Sequence, residues 1–582
     1  VKIKISIIGG GPASISLCNQ LIHHFIVNNL LDVEISVFEK KDSIGTGLPY
    51  SYKESCYILN LPSYSMGISG EEDESFYRWF ERNRIRLGCD YETAFPPRYF
   101  FGLYVNQLAS RLIDKAESHG IKLHYHVNTK IINIEKMEET KYRVSSKKES
   151  YLADYVILST GHMPSESYRH LVGVPGYSHS PWSYDAFDHL DRNSTVFILG
   201  SRLTAIDIAM RLHFMGHQGS IKMFSRSGLL PAVLGSEVPP YVLKYLTLKN
   251  LDFFTKNGLK YLELDDLLNL FWKEISEAVG SSIQYKDIIT SSCDTSALDW
   301  LLHEISSAER GPRPWQQVLF SLYPITPLIW NRLSLEDKEI FLKDYHSLFF
   351  TYLAAFPLEN AYKLLEILKS GQLTVEGGLE SVVFSKEGFH LYTKSNQFFA
   401  EKLFNGTGPG YNPFGFSLFQ NMNKNGLLER HPCGGIYVDP ETLQVKDSKY
   451  IPQSNLFAIG ELTRGTCLVT ADMGQVNRQT DRITDQITKL MNKFNQSQSP
   501  TGCFHKNKLT NDRFFRKHGE KTQNTIIKKT YCTYHSPRLF SCKLKSPRNY
   551  ARFLPICLPA TLFSSFSWCK VKEQNTFAKM EL

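Results

Sequence analysis

Residues 5–14 read ISIIGGGPAS. The apolar start predicts a buried parallel strand, and Gly9-x-Gly11-x-x-Ser14 follows at once with helix-forming sequence behind it. Gly9 permits a tight strand-to-helix turn. Gly11 removes the side chain that would keep a pyrophosphate off the backbone N–H groups, and the small Ser14 suits close packing of helix on sheet. With Pro12 and Ala13 between them, these residues are read as one phosphate-binding loop.

A lone glycine-rich loop is weak evidence, so the rest of the unit must appear at the right distance. The run VEISVFE at 33–39 alternates like a second strand and ends in Glu39, 25 residues after Ser14. A carboxylate there can accept from both ribose hydroxyls of an adenosine. Strand, glycine loop, helix, strand and acid together predict a dinucleotide site.

The chain has 582 residues, room for roughly three to four domains. Hydrophobic residues make up 42 % and charged residues 21 %, a globular balance. The net charge of +8 misleads about partners, because residues 501–582 hold 16 Lys and Arg against 4 Asp and Glu. The first 500 residues carry −4, so no nucleic-acid surface is expected on the main body. None of the 11 cysteines forms a Cys-x-x-Cys pair, which argues against a redox dithiol and against a zinc ribbon. No metal site is expected. The first strand begins at Ile3, so no targeting segment is expected ahead of it. The most apolar long stretch, 552–568, is broken by Pro555 and Pro559. The expectation is a cytoplasmic protein with no membrane association.

Further elements follow in order. The loop GTGLPYS at 45–51 is placed beside a cofactor, and Asn60-Leu61-Pro62 presents an amide to an isoalloxazine ring or makes a plain turn. Arg98, at the entrance of an amphipathic helix, is a candidate for a cofactor phosphate or a carboxylate substrate. Residues 121–159 predict an antiparallel meander returning to the parallel sheet. STGH at 159–162 ends an apolar strand, and Gly161 allows close approach of a dinucleotide; His162 reads as a loop histidine.

A second strand and loop come at 195–212, TVFILGSRLTAIDIAMRL. Gly200 and Thr204 stand where a second phosphate loop needs them, but Arg202 occupies the middle glycine position. Its side chain either obstructs the backbone or itself contacts phosphate. After the next strand, Ser225, Arg226 and Ser227 replace the acid that selects NAD, which suits a 2′-phosphate and hence NADPH. Helical periodicity dominates 236 to about 370 and strands return around 373–393. LFNGTGPGYN at 403–412 is another strand-end glycine turn. Near the end, NLFAIGELTRGT at 455–466 places Gly460 and Glu461 after an apolar strand, where the carboxylate can accept ribityl hydroxyls. From about 496 the composition turns basic and aperiodic, predicting a poorly ordered tail.

The segments GGGPAS, GTGLPYS, LNLPS, FPPRYFFG, LSTGH, LGSRLTAIDIA, SRSGLLP, NGTGP and AIGELTRGT fall in an order that resembles flavoproteins of the FAD-dependent urate hydroxylase and L-aspartate N-monooxygenase group, over roughly 1–490. The resemblance implies FAD held by Gly9, Gly11, Ser14, Glu39, Gly460 and Glu461, and NADPH (or NADH) held by Gly200, Thr204 and Arg226. The expected fold is α/β, with two Rossmann-like dinucleotide-binding domains, a parallel sheet, a β-meander and a helical insertion. Its expected division is 1–165 and 400–495 for FAD, 190–235 for NAD(P), 236–399 mostly helical, and 496–582 tail. The expected function is an FAD-dependent, NAD(P)H-consuming monooxygenase that uses O2 to hydroxylate a small, amino-bearing substrate. The alternative is a flavin-binding sensor or scaffold with a degenerate NAD(P) site. Arg202 departs from the group's second glycine loop, and DYHSLFFTYLAAFP at 344–357 is poorer in Arg and His than its counterparts.

Overall fold

A computed structural model describes residues 2–68, 75–138, 141–183, 185–236, 240–281 and 295–498. Val33–Phe38, Ile3–Ile8, Tyr155–Leu158 and Pro452–Ala458 are buried over most of their length, as strands covered on both faces must be, and their buried positions are mainly apolar. They form the centre of a six-stranded sheet ordered 444–446, 452–458, 155–158, 3–8, 33–38, 122–126. Its pairs are parallel except at one edge, where Gln444–Lys446 runs antiparallel to Pro452–Ala458. The helices Pro12–Val27 and Met473–Gln498 pack against each other on this sheet. Between Lys122–His126 and Tyr155–Leu158 stands the antiparallel meander Ile131–Glu138, Lys141–Ser146, Ser150–Ala153.

The second sheet is wholly parallel, in the order 373–376, 221–224, 196–199, 402–405, 177–178. Here the expected division needs correcting. Lys402–Asn405, expected with the first domain, pairs with Val196–Leu199 in the second sheet, because it is an apolar strand that continues from the hairpins before it. The first sheet regains the chain only beyond Gly410, whose N–H donates to the Met163 carbonyl at 3.0 Å, so the outward and return linkers run paired. Strands 379–385, 388–393 and 397–400 form a separate antiparallel hairpin sheet.

Helices predominate in 248–279 and 297–369 and share one apolar core with the second sheet. Two buried carboxylates in that core are held by hydrogen bonds. Glu304 and Arg313 pair bidentately at 2.8 Å while both also bond the backbone of Val233. Glu274 has no cation; it accepts the N–H groups of Lys244, Tyr245 and Leu246. The last helix extends to Gln498, past the point where the composition turns basic. The expected disorder of the tail falls outside the described residues from 499 on. Among the described residues no helix is long and apolar enough to cross a membrane.

Candidate active site

Strand register decides which residues share an edge. Ile8 lies opposite Phe38 on one side and Leu158 on the other, and Leu158 lies opposite Ala458. The residues that follow, Gly9, Glu39, Ser159 and Ile459, therefore emerge in one row at the carboxyl ends of four parallel strands. At about 4.8 Å per strand spacing, Glu39 and Gly460 stand roughly 15 Å apart across that row. The topology thus joins the amino-terminal turn and the distant strand end 450 residues later. A crevice outside the carboxyl ends of parallel strands is where such sheets take ligands.

The glycine turn is built without room for side chains. Gly9 has φ +112°, and a Cβ on it would lie 2.1 Å from the Ser159 carbonyl oxygen. Gly11, the N-cap of Pro12–Val27, faces Gly47 of the GTGLPYS loop, whose Cα is 3.5 Å from the position of a Cβ. The Gly45 N–H donates to the Gly10 carbonyl at 2.7 Å. Ser14 is fully buried, and its hydroxyl donates to the Gly9 carbonyl and lies 2.9 Å from the Ser159 hydroxyl. Pro12 is buried and Ala13 half-buried in the first helical turn, where no acidic side chain opposes an anion. The Glu39 carboxylate accepts the Gly10 N–H at 2.7 Å and the Lys41 N–H at 2.9 Å, which fixes it beside the turn. Gly161 has φ +68° with open space where a Cβ would be.

At the far end of the row, Gly460 has φ +72° and no atom within 4 Å of a would-be Cβ. Glu461 is 4 % exposed; Oε2 accepts the Thr470 hydroxyl at 2.8 Å and Oε1 is buried with no hydrogen-bond partner. A buried carboxylate oxygen is costly unless bonded, so this atom suits a ligand hydroxyl. The residues present therefore fit a flavin dinucleotide at both ends. At the start of the last helix, Asp472 Oδ1 accepts the N–H groups of Gly474 and Gln475 at 2.8 and 3.1 Å.

Sequence reasoning missed the loop His431-Pro-Cys-Gly-Gly435. It clamps the 460–466 turn, with Gly465 N–H donating to Gly434 at 2.8 Å and Ile436 N–H to Leu462 at 2.9 Å. A Cβ on Gly435 would lie 2.1 Å from the Leu462 carbonyl oxygen. The paired glycines were its only signal. Arg464, quoted in the sequence without a role, is 4 % exposed and pairs with no carboxylate among the described residues. Its guanidinium lies over the rings of Tyr411 at 4.4 Å and Phe350 at 5.1 Å, and donates to His346 Nε2 at 2.7 Å. A guanidinium only donates, so the His346 proton sits on Nδ1. Burial, then Arg464, Arg202 and Arg226, push this imidazole down to about 3 and keep it neutral. A π-helical turn, Phe341–Tyr345, sets the start of the helix His346–Leu353.

The second sheet repeats the pattern. Leu199 lies opposite Phe224 and Asn405, so Gly200, Ser225 and Gly406 emerge together. Gly200 has φ +106°, and a Cβ there would lie 2.6 Å from the Gly406 carbonyl oxygen. Thr204 is half-buried in the first turn of Leu203–Phe214, and Arg226 is exposed. Arg202 is the N-cap of that helix; its Nη2 donates to the Ser347 carbonyl and, at 2.8 Å, to the Ser347 hydroxyl. Asn60 is half-buried in a turn backed by 94–98, with Leu59 N–H donating to Pro96 at 2.9 Å and the bridge Ile58–Pro97 beside it.

Arg98 is not the open cation expected at a helix entrance. Its fork bonds both oxygens of Asp207 at 2.6 and 3.1 Å and its Nε bonds the Ile58 carbonyl at 2.8 Å. The pair is buried and joins the first sheet's helix Arg98–Glu117 to the second sheet's helix, so a free anion would have to compete with an intact bidentate carboxylate. Arg211 and Glu54 make a second link of the same sense.

Residues 6–163 match the family model described as FAD-NAD(P)-binding, and residues 109–286 match that of pyridine nucleotide-disulphide oxidoreductases. The chain is 24 % identical over 419 residues to the uncharacterized protein YdhS of Escherichia coli (strain K12), covering 63 % of this chain and 76 % of that protein. It is 24 % identical over 215 residues to Monooxygenase PC-14 of Penicillium crustosum, 35 % of this chain and 33 % of that one, so it spans about a third of this fungal relative. Among solved structures, ornithine hydroxylase (PvdA) from Pseudomonas aeruginosa is similar with a TM-score of 0.52 at 13 % identity, over 84 % of this chain and 100 % of that chain. L-lysine 6-monooxygenase from Pseudomonas syringae gives 0.50 at 13 %, over 84 % and 99 %. Likeness at such identity is likeness of fold. The fold is that of the FAD/NAD(P)-binding flavoproteins, with two Rossmann-like sheets, a meander and a helical insertion.

Proposed function

We propose that this chain, an FAD/NAD(P)-binding flavoprotein in fold, is an FAD-dependent monooxygenase that takes electrons from a reduced nicotinamide dinucleotide and uses O2 to hydroxylate a small amino-bearing substrate. The observation that carries this is the single row of strand ends at which Gly9, Glu39 and Ser159 emerge beside Gly460 and Glu461. When bound, FAD supplies the hydride acceptance and oxygen activation that no side chain here could. The chain supplies the rest. The backbone N–H groups of the first turn hold the pyrophosphate, Glu39 accepts ribose hydroxyls, and the unpartnered oxygen of Glu461 accepts a ribityl hydroxyl. Asn60 offers its amide to the ring.

Arg464 gives the substrate side its charge. A buried guanidinium braced by two aromatic rings and a neutral histidine favours a substrate that carries an anionic group as well as its amine. The names of the two similar solved structures, an ornithine and a lysine hydroxylase, support the amino-bearing part of this reading. The five described cysteines are all free, which suits a reducing, cytoplasmic setting; no disulfide chemistry is invoked, because no Cys-x-x-Cys pair exists to carry it.

The test is anaerobic stopped-flow mixing of FAD-loaded protein with NADPH. Bleaching of the flavin band is expected. A flavin that stays oxidised at millimolar NADPH and NADH overturns the monooxygenase reading and leaves the flavin-binding scaffold.

A further inference from the structure

The helical insertion carries a concentration of apolar surface. Of the six most exposed large hydrophobic side chains among the described residues, four lie within 242–261: Val242 at 66 %, Phe253 at 78 %, Leu259 at 87 % and Tyr261 at 63 %. Apolar side chains exposed singly are ordinary, whereas a cluster marks a contact surface. Val242 belongs to the loop beside the turn, because Asn250 bonds the carbonyls of Lys244 and Tyr245 at 3.3 and 2.8 Å.

The turn that holds the other three is fixed by its own backbone. Helix Leu248–Phe254 is capped by the Thr247 hydroxyl, and beyond it the N–H groups of Asn257 and Lys260 donate to Asp252 and Thr255 at 2.7 and 3.1 Å. Lys256, Asn257 and Gly258 all have left-handed φ, +49°, +56° and +87°, which reverses the chain. Leu251 and Leu262 are buried on either side and anchor the two limbs. Arg332 braces the base, bonding Asp252 at 2.6 Å and accepting the Leu262 N–H at 2.8 Å.

The charge around the turn has one sign. Lys249, Lys256 and Lys260 are exposed, and none pairs with a carboxylate among the described residues. Asp252, the acid within 249–262, is taken by Arg332. The next acids are Glu263, at the N-cap of helix Leu264–Val279, and Asp265 and Asp266 in its first turn, where that helix end favours them. The first 500 residues carry −4 in total, so this basic character is local. Side chains this exposed stand out from the surface and form no pocket of their own. A protein partner would have to supply an apolar pocket with an acidic rim. An anionic lipid surface offers an apolar interior beneath phosphates and needs no shaped pocket.

We propose that the 253–261 turn inserts Phe253, Leu259 and Tyr261 into the interface of an anionic phospholipid surface, with Lys249, Lys256 and Lys260 on its phosphates, as a peripheral anchor. Such anchoring departs from the expectation of no membrane association and requires neither dinucleotide.

Cosedimentation of the full-length protein with vesicles tests this, comparing phosphatidylcholine alone with a phosphatidylcholine–phosphatidylglycerol mixture. Wild type is expected to pellet with the mixed vesicles and far less with the neutral ones. Residues 501–582 are basic as well, so full-length variants decide where binding resides. The F253S/L259S/Y261S variant is expected to lower the partition coefficient by about tenfold or more. K249Q/K256Q/K260Q is expected to lower it by about fivefold per lysine at low salt and to flatten its salt dependence. Urea midpoints of both variants are expected to match wild type, which separates lost binding from lost fold. F253W is expected to be quenched by brominated acyl chains beyond the quenching of the seven native tryptophans. Vesicle binding that the apolar triple variant leaves unchanged overturns the proposal, as does a wild type that binds no anionic vesicle. A wild type that ignores vesicles but dimerises, with the triple variant monomeric by sedimentation velocity, overturns it in favour of a contact between copies.

Discussion

Gly9 shows how a single atom can decide whether the site exists. Its left-handed φ of +112° is one that L side chains avoid, and the space for a Cβ is taken by the Ser159 carbonyl, which is main chain and cannot rotate away. Gly9→Ala is expected to cost about 3 kcal/mol or more, combining strain and overpacking, with a lower urea midpoint and less FAD retained on purification. Gly161, whose missing side chain faces open space, serves as the control: Gly161→Ala carries the φ strain alone and is expected to cost less. At this scale the sequence was informative. Gly9, Gly11, Ser14 and Glu39 meet in one tight strand-to-helix turn, as their spacing led one to expect, because turn geometry is local. Arg98 was misleading for the same reason: a cation at a helix entrance looks solvated until the partner 109 residues away is brought to it.

Between elements, the Arg98–Asp207 pair is the main polar contact joining helix Arg98–Glu117 to helix Leu203–Phe214. Burial pushes the Asp207 carboxyl up and the guanidinium opposes it, so the carboxylate depends on its partner. Removing one member leaves an uncompensated buried charge. Arg98→Ala is expected to destabilise by about 3–5 kcal/mol, whereas replacing both by apolar residues of similar volume is expected to recover much of the loss. Equilibrium urea denaturation of the two single variants and the double variant checks this; additive losses would mean that the two side chains do not act as a pair. The elements themselves were largely legible. Buried parallel strands announce themselves as apolar runs, and the meander at 131–153 alternates as a half-exposed sheet does. The membership of Lys402–Asn405 was not legible, because an apolar strand fits equally well into either parallel sheet, and pairing partners lie outside any local window.

The molecule as a whole buries two histidines next to cations, and its acid stability should reflect it. Burial and three arginines hold His346 at about 3; burial, then Lys338 and Lys446, hold His431 at about 4. In the unfolded chain each titrates near 6.5. Between those values the unfolded state binds more protons, so the stability these neutral rings permit is complete above about pH 6.5 and is lost as pH falls toward 4. The slope is up to about 1.4 kcal/mol per pH unit for each histidine. Urea midpoints measured from pH 7 to 4.5 should fall more steeply for wild type than for the His346→Gln, His431→Gln double variant; parallel curves would show that neither ring is held neutral. The cluster around His346 could not be read from the sequence. Arg202, Arg226, His346 and Arg464 span 262 residues and no spacing rule links them. The chain's own order of residues determined the two glycine turns and the alternation of sheet and helix, since each depends on backbone conformation within a few residues. Tertiary structure alone decided which cations pair with carboxylates, as Arg98 and Arg313 do, and which, like Arg464, lie against aromatic rings instead, because such pairing depends on distance in space and on burial, and neither is a property of neighbours along the chain.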